Sequence, residues 1–328
     1  MALINLPSNV PLSMKVWLAS SGYDAHPDPN SISATTLLNS TKQIILSGRV
    51  KPEDTAINVN SLAASRIGQA IHSGIENAWE GDIEATMLDL GYPKSVASKV
   101  VLNPSEEALK ADPSLIPVYM EKRSSKIVKG VIVTGQFDLV MQGRLEDFKS
   151  TSTFAYVKDP YNKKFAMQGS IYRWLNPTII TNNRMAVQYI FTNWTQSQVL
   201  INPKYPKNKI EQVEMELMPV ADVQRFVEDK IDDIAKYQNE PEEKMPECND
   251  EDLWRSAPTY KYYKNPQKKA RSTKNFDNMN DALSRLHQDG NVGVVDTVKG
   301  MVMKCRYCDA ASICQQKDIY ILDGTLTL

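Results

Sequence analysis

Asp138, Asp147 and Lys149 carry the clearest chemical signal in this sequence. Asp138 stands in Gly135-Gln136-Phe137-Asp138-Leu139-Val140, and Asp147-Phe148-Lys149 follows nine residues later. Gln136–Met141 and Leu145–Thr151 read as two strands joined by the turn-like Gln142-Gly143-Arg144. Residues two apart on a strand leave the same face, so Asp147 and Lys149 point together while Glu146 points away. Two carboxylates and an ammonium group would thus converge at one sheet edge. Phosphodiester hydrolysis needs such a set. Carboxylate oxygens hold Mg²⁺ or Mn²⁺, and the bound cation acidifies a water and neutralises charge developing on the phosphate. A nearby lysine orients the water and stabilises the transition state. An acid-x-Lys triplet is also common by chance. Glu228-Asp229-Lys230 and Glu242-Glu243-Lys244 are further examples, both in contexts that read as solvated faces. The triplet at 147–149 differs in lying on a strand, after a Gly-x-x-Asp strand.

Two helical pairs add to this set. Gln168 and Tyr172 are four apart on the helix expected at Tyr161–Leu175, hence on one face. Gly68 and His72 share a row of the helix expected at Ser61–Glu80, beside an apolar stripe of Ile67, Ile71, Ile75 and Trp79. Each pair alone has an ordinary structural explanation. Together, Gly68-x3-His72, Gly135-x2-Asp138, Asp147-x-Lys149 and Gln168-x3-Tyr172 resemble, in order and rough spacing, the PD-(D/E)XK nucleases. The resemblance is to the branch that includes the nuclease domain of RecB, AddB and the Cas4 proteins, and it spans about residues 31–193. It implies a central mixed β-sheet flanked by helices, a restriction-endonuclease-like core. It also implies that His72, Asp138, Asp147 and the Phe148 carbonyl ligate Mg²⁺ or Mn²⁺, that Lys149 is the catalytic lysine, and that Gln168 and Tyr172 position the DNA strand or support the site.

The chain has four cysteines, Cys248, Cys305, Cys308 and Cys314, all in its last quarter. Cys-x2-Cys followed after five residues by a third Cys suits either Zn²⁺ or an iron–sulfur cluster, with Cys248 as the fourth ligand. Buried, unliganded thiols are the plain alternative. The family resemblance favours a [4Fe–4S] cluster, because the last three cysteines of such nucleases share this spacing. Their first cysteine normally precedes the nuclease motifs, near a segment like Ser33–Leu46, where this chain has none. The region from Cys248 to Cys314, with Trp254 and a Tyr/Lys-rich hairpin, also resembles C-terminal segments of phage-encoded nucleases.

These residues need a scaffold of sufficient size. The chain has 328 residues, 42% hydrophobic and 23% charged, which is a globular composition long enough for two domains. The expected organisation is an irregular and helical segment at 1–58, a nuclease core at 59–240 and a cysteine-bearing module at 241–328. Pro7, Pro11, Pro27 and Pro29 break up the first thirty residues, and Ser33–Leu46 reads as a helix. A looser helical region spans about 83–102. A strand is expected at 127–133, further strands at Met185–Asn193 and Glu211–Met218, and a helix at Pro219–Gln238. This order gives an α/β core with a mixed sheet. Beyond a charged linker at Glu240–Glu247, Thr259–Tyr263 and Ala270–Lys274 read as a hairpin and Asn280–Gln288 as a helix.

A net charge of −1 neither advertises nor excludes DNA binding. Lys158, Lys163 and Lys164, just before the Gln168 helix, and Lys268, Lys269 and Arg271, in a Tyr/Lys-rich stretch, are candidate phosphate contacts. Without an apolar run of bilayer length or a secretory leader, a cytoplasmic protein is expected, in the host cytoplasm if phage-encoded. There is no Gly-x4-Gly-Lys-Ser/Thr loop, so any helicase, recombinase or single-strand-binding partner would be a separate chain. The expected activity is metal-dependent DNA hydrolysis by an exonuclease. The alternatives are a structure- or site-specific endonuclease, a non-catalytic DNA-binding module on the same fold, or a zinc-stabilised adaptor.

Overall fold

The computed structural model describes residues 4–5, 9–20, 28–51, 56–57 and 59–327. The chain divides into two compact units, one of residues 2–38 and 56–232, the other of residues 39–55 and 233–328 with Met1.

The first unit is built on a curled mixed sheet of seven strands. They are β1 (Ser31–Ser33), β2 (Val100–Leu102), β3 (Ile116–Val128), β4 (Val131–Met141), β5 (Arg144–Thr151), β6 (Arg184–Phe191) and β7 (Ile210–Glu216). Their order is β2-β3-β4-β5-β6-β7, with β1 paired to β4. β1–β4, β2–β3 and β5–β6 are parallel, and the remaining pairs antiparallel. Two tight turns set the register of the central strands. Lys129-Gly130 and Gln142-Gly143 all have positive φ, as a two-residue hairpin requires to match strand twist.

Helices cover both faces. On one, α1 (Ala63–Glu80) brings Ile75 and Trp79 against Val118, Met120, Leu139 and Phe148. On the other, α2 (Lys163–Leu175) and α3 (Val220–Tyr237) bury Ile171, Trp174, Val223 and Val227 with Val140, Leu145 and Val187. Gly169 makes this packing close, because a Cβ there would lie 3.1 Å from Leu145 and still nearer Met185.

The second unit holds a three-stranded antiparallel sheet, β8 (Thr259–Tyr263) between β9 (Lys274–Phe276) and β10 (Val294–Val298), with the Met279–Gln288 helix. The Thr41–Arg49 helix packs Ile45 and Leu46 against Met245 and Ala310 in the same unit.

The mixed sheet flanked by helices agrees with the expected fold class, but several local expectations give way. The strand expected at 127–133 is a hairpin tip: Val128 and Val131 pair across Lys129-Gly130. The bulk of β3 lies upstream, where Glu121-Lys122-Arg123-Ser124-Ser125-Lys126 lacks apolar alternation and hides the strand. Ser33–Leu46 is not one helix. It is the end of β1, a single turn at Ala34–Leu37 capped by Ser33, and a second helix from Thr41 capped by Ser40. The 83–102 region holds short helices at Ile83–Asp89 and Lys94–Ala97 and then β2. The strand that pairs with β8 starts at Lys274, the expected end of the partner strand, and runs on to Phe276, and β10 is a third strand there. Of the four early prolines, Pro7 and Pro27 lie outside the described residues, and Pro11 precedes a helix at Leu12–Ala19.

Candidate active site

The site forms where the sheet opens. β5 pairs with β4 only over Leu139–Met141 and Arg144–Glu146, and then runs beside β6. Asp138 and Asp147 would be the next pair in this register, so they flank the fork. The Phe148 N–H donates to Asp138 Oδ2 at 2.7 Å, spanning the gap. Asp147 is buried, 2% exposed, and the Lys149 ammonium lies 2.6 Å from its Oδ2. Glu146 faces elsewhere, bound to Arg144 and Gln188.

Each covering helix contributes. Gly68 lets α1 approach β5, since a Cβ there would lie 3.1 Å from Ser150 Oγ. One turn on, His72 Nε2 lies 3.0 Å from the Phe148 carbonyl oxygen, and its Nδ1 faces Asp138 Oδ1 at 3.7 Å and Glu121 Oε1 at 3.9 Å. From α2, Gln168 accepts from Lys149 at 3.5 Å and donates to the Tyr172 hydroxyl at 2.7 Å. The Lys149 ammonium also lies 5.1 Å from the Phe165 ring centroid. His72, Asp138, Asp147, the Phe148 carbonyl, Lys149, Gln168 and Tyr172 are therefore linked in one region by direct contacts.

Glu121 belongs with them, although its place in the chain does not announce it. Around it, Met120 pairs with Leu139 and Lys122 with Phe137, so Glu121 stands opposite Asp138. Its φ of 49° takes it out of the ladder, a strained conformation for a non-glycine residue within a strand. Ligand atoms of His72, Glu121 and Asp138 lie within 4.8 Å of one another, a group able to hold a metal ion. One signal for Glu121 is present in the sequence. Once Lys129-Gly130 is read as a two-residue turn, counting back along both strands sets 121 opposite 138.

The electrostatics suit a cation. Burial, and then the charge of Asp147, push Asp138 up to about 7 against the opposing pull of Lys149, His72 and the Phe148 N–H. The Glu121 carboxylate, as acceptor for the imidazole N–H, holds His72 above the ordinary imidazole value, despite burial. Burial disfavours the Lys149 charge, but Asp147 and Asp138 outweigh it and hold the amine above the usual lysine range. Burial, with Asp147 and Asp138 nearby, pushes the Tyr172 phenol up, so it stays neutral. Asp147 Oδ2 is buried, with the Lys149 ammonium as its close neighbour. Hard carboxylate and carbonyl oxygens with one imidazole fit Mg²⁺ or Mn²⁺.

Lys158 ends a short helix at Thr153–Lys158, and Lys163 and Lys164 open α2. Lys268, Lys269 and Arg271 are exposed in the other unit, where Lys269 pairs with Asp296 at 2.7 Å. In that same unit the four cysteines line one small cavity with Lys42 and Gln316. They do not form a closed ligand cluster, because among the described residues no three of their sulfurs lie within 4.8 Å of one another. Cys248 Sγ is 3.0 Å from Ser40 Oγ. Burial raises all four thiols, and the neighbouring cysteines help push Cys305 up to about 11.

No family model and no curated protein matches this chain. Among solved structures, the crystal structure of SSO0001 is similar at 17% identity and a TM-score of 0.38, covering 66% of this chain and 81% of that one. A phage related exonuclease from Haemophilus somnus 129PT is similar at 12% identity and a TM-score of 0.26, covering 49% and 80%. Both TM-scores fall below 0.5, so a functional reading has to rest on the site itself. Among the described residues, no helix is long and apolar enough to cross a membrane.

Proposed function

We propose that this chain is a metal-dependent deoxyribonuclease of the PD-(D/E)XK type, in the RecB/AddB/Cas4-like branch, acting as an exonuclease in DNA processing. The observation that carries the reading is the fork: Asp138 and Asp147 flank it, Lys149 is 2.6 Å from Asp147, and His72 is 3.7 Å from Asp138. His72, Glu121, Asp138, Asp147 and the Phe148 carbonyl are the groups that would hold Mg²⁺ or Mn²⁺. Such a cation supplies an acidified water and charge neutralisation at phosphorus. Lys149, kept cationic by its acidic neighbours, stabilises negative charge developing on the phosphate. Gln168 holds Lys149 in line and is itself anchored by Tyr172. The test is hydrolysis of end-labelled linear and circular DNA in Mg²⁺ and Mn²⁺, against Lys149→Ala. Cleavage of linear DNA alone, lost in the variant, is expected. Cleavage of circles would make it an endonuclease, and undiminished cleavage by the variant would remove Lys149 from the mechanism.

The same reading assigns Cys248, Cys305, Cys308 and Cys314 to a [4Fe–4S] cluster. Zn–S bonds of about 2.3 Å bring four sulfurs to within about 3.8 Å of one another. The support for a cluster is the Cys305-x2-Cys308-x5-Cys314 spacing, with Zn²⁺ as the alternative. Iron and zinc analysis of anaerobically purified protein separates the two.

A further inference from the structure

Strands β6 and β7 are antiparallel neighbours, with Ile190 opposite Ile210 and the Phe191 N–H donating to the Lys209 carbonyl at 3.0 Å. Such a pair can close through about 2–5 residues. Here the chain runs out and back over residues 192–209 before β7 begins. The excursion is held by its own hydrogen bonds. The Trp194 indole donates to the Pro206 carbonyl at 2.9 Å, the Thr195 N–H donates to the Tyr205 hydroxyl at 3.0 Å, and that hydroxyl donates to the Asn193 carbonyl at 3.4 Å. The Asn193 side chain accepts from the Thr153 N–H at 2.8 Å, which ties the excursion to the helix that follows β5.

This scaffold displays apolar and cationic side chains together. Its short helix, Gln196–Ile201, ends on Leu200 and Ile201, which are 82% and 72% exposed. Lys204, Lys207 and Lys209 follow, all exposed and, among the described residues, without a carboxylate partner. No Asp or Glu occurs between 192 and 209. An ordered loop that holds two branched aliphatic side chains in water gains nothing for the fold from them. An apolar centre beside a polar rim is, however, how protein interfaces are built.

We propose that the 192–209 excursion is a docking loop for another protein, whose acidic segment meets Leu200 and Ile201 with apolar side chains and Lys204, Lys207 and Lys209 with carboxylates. Charge decides the occupant. Three cations with no acidic residue in the loop select a partner of opposite sign. Phosphates would satisfy the lysines, but base stacking needs a ring face that Leu200 and Ile201 lack. A segment of carboxylates interspersed with aliphatic or aromatic residues satisfies both sets. None of these loop residues belongs to the carboxylate–lysine site, so the inference stands apart from the nuclease reading.

The test selects a displayed library of random dodecapeptides on the full chain and measures the strongest binder by fluorescence anisotropy. One variant combines Leu200→Ser with Ile201→Ser. A second combines Lys204→Gln, Lys207→Gln and Lys209→Gln, and thermal melts verify that both fold. Selected peptides should be rich in Asp or Glu and carry Leu, Ile or Phe. The serine variant should weaken their binding roughly 10–100-fold. The glutamine variant should weaken it less and remove most of its dependence on salt. Single- and double-stranded oligonucleotides, measured in EDTA, should bind the serine variant as they bind the wild type. Failure to select a peptide overturns the proposal, as do peptides that lack acidic residues or bind both variants unchanged. DNA binding that falls in the serine variant also overturns it, by making the aliphatic pair a wedge between bases. So does a concentration-dependent dimer lost in that variant, which would make the occupant a second copy of this chain.

Discussion

Glu121 faces Asp138 across two paired strands, yet the pair is missing from the ladder because Glu121 has a left-handed backbone. That conformation costs roughly 1–3 kcal/mol for a non-glycine residue. It is retained where the carboxylate meets His72 and Asp138. Glu121→Gln should therefore lower metal affinity about 10–100-fold by calorimetry, with the fold preserved. It should also release His72 from its raised pKa, visible in an NMR titration of the metal-free protein. A raised histidine pKa contributes stability below about pH 6.5 and loses it as pH rises through the folded value. In Glu121→Gln that acid-side contribution should shrink.

Asp138 should trade stability for activity. The folded protein binds its proton more tightly than the unfolded chain does, so the cost of the buried charge is absent below about pH 4 and complete above about pH 7. Asp138→Asn should stabilise the metal-free protein at pH 8 by roughly 1–4 kcal/mol, with little gain at pH 4. It should also abolish cleavage. Thermal melts at both pH values check the first expectation. A lower melting temperature at pH 8 would contradict it.

Lys149→Ala should reduce cleavage roughly 10²–10⁴-fold. Metal binding should persist, since the carboxylates and His72 remain. Single-turnover rates alongside metal titration distinguish this from loss of the cation.

Gly135→Ala should be destabilising, although alanine suits a strand better. The new Cβ would lie 2.9 Å from the Tyr172 ring and from a Leu175 methyl. A ring held by Gln168 and core packing yields less readily than a free side-chain end. A loss of about 1–3 kcal/mol in chemical denaturation is expected, with slower cleavage as Tyr172 shifts.

On the proposed assignment of the four cysteines to a [4Fe–4S] cluster, Cys305→Ser should remove most of the iron and the visible absorbance of purified protein. An unchanged metal content would exclude Cys305 as a ligand.

Much of the site was legible before any tertiary structure. Strand alternation put Asp147 and Lys149 on one face and Glu146 on the other, and helical spacing paired Gly68 with His72 and Gln168 with Tyr172. Those are local relations, dictated by backbone periodicity. Glu121 was not legible in this way, because it lies in a polar stretch without alternation and acts through a partner seventeen residues away. The cysteine spacing likewise identified a ligand-like motif without revealing how far apart the sulfurs stand.

The sequence by itself determined the donors: hard oxygens, one imidazole and one amine, at periodicities that aim them together. Only the tertiary structure decided that β5 leaves β4 at Asp138, that helices on opposite faces both reach the opening, and that Glu121 turns out of register to join it. Alternation is encoded residue by residue. Where a ladder opens depends on strand pairing and packing over the whole sheet, which no local stretch contains.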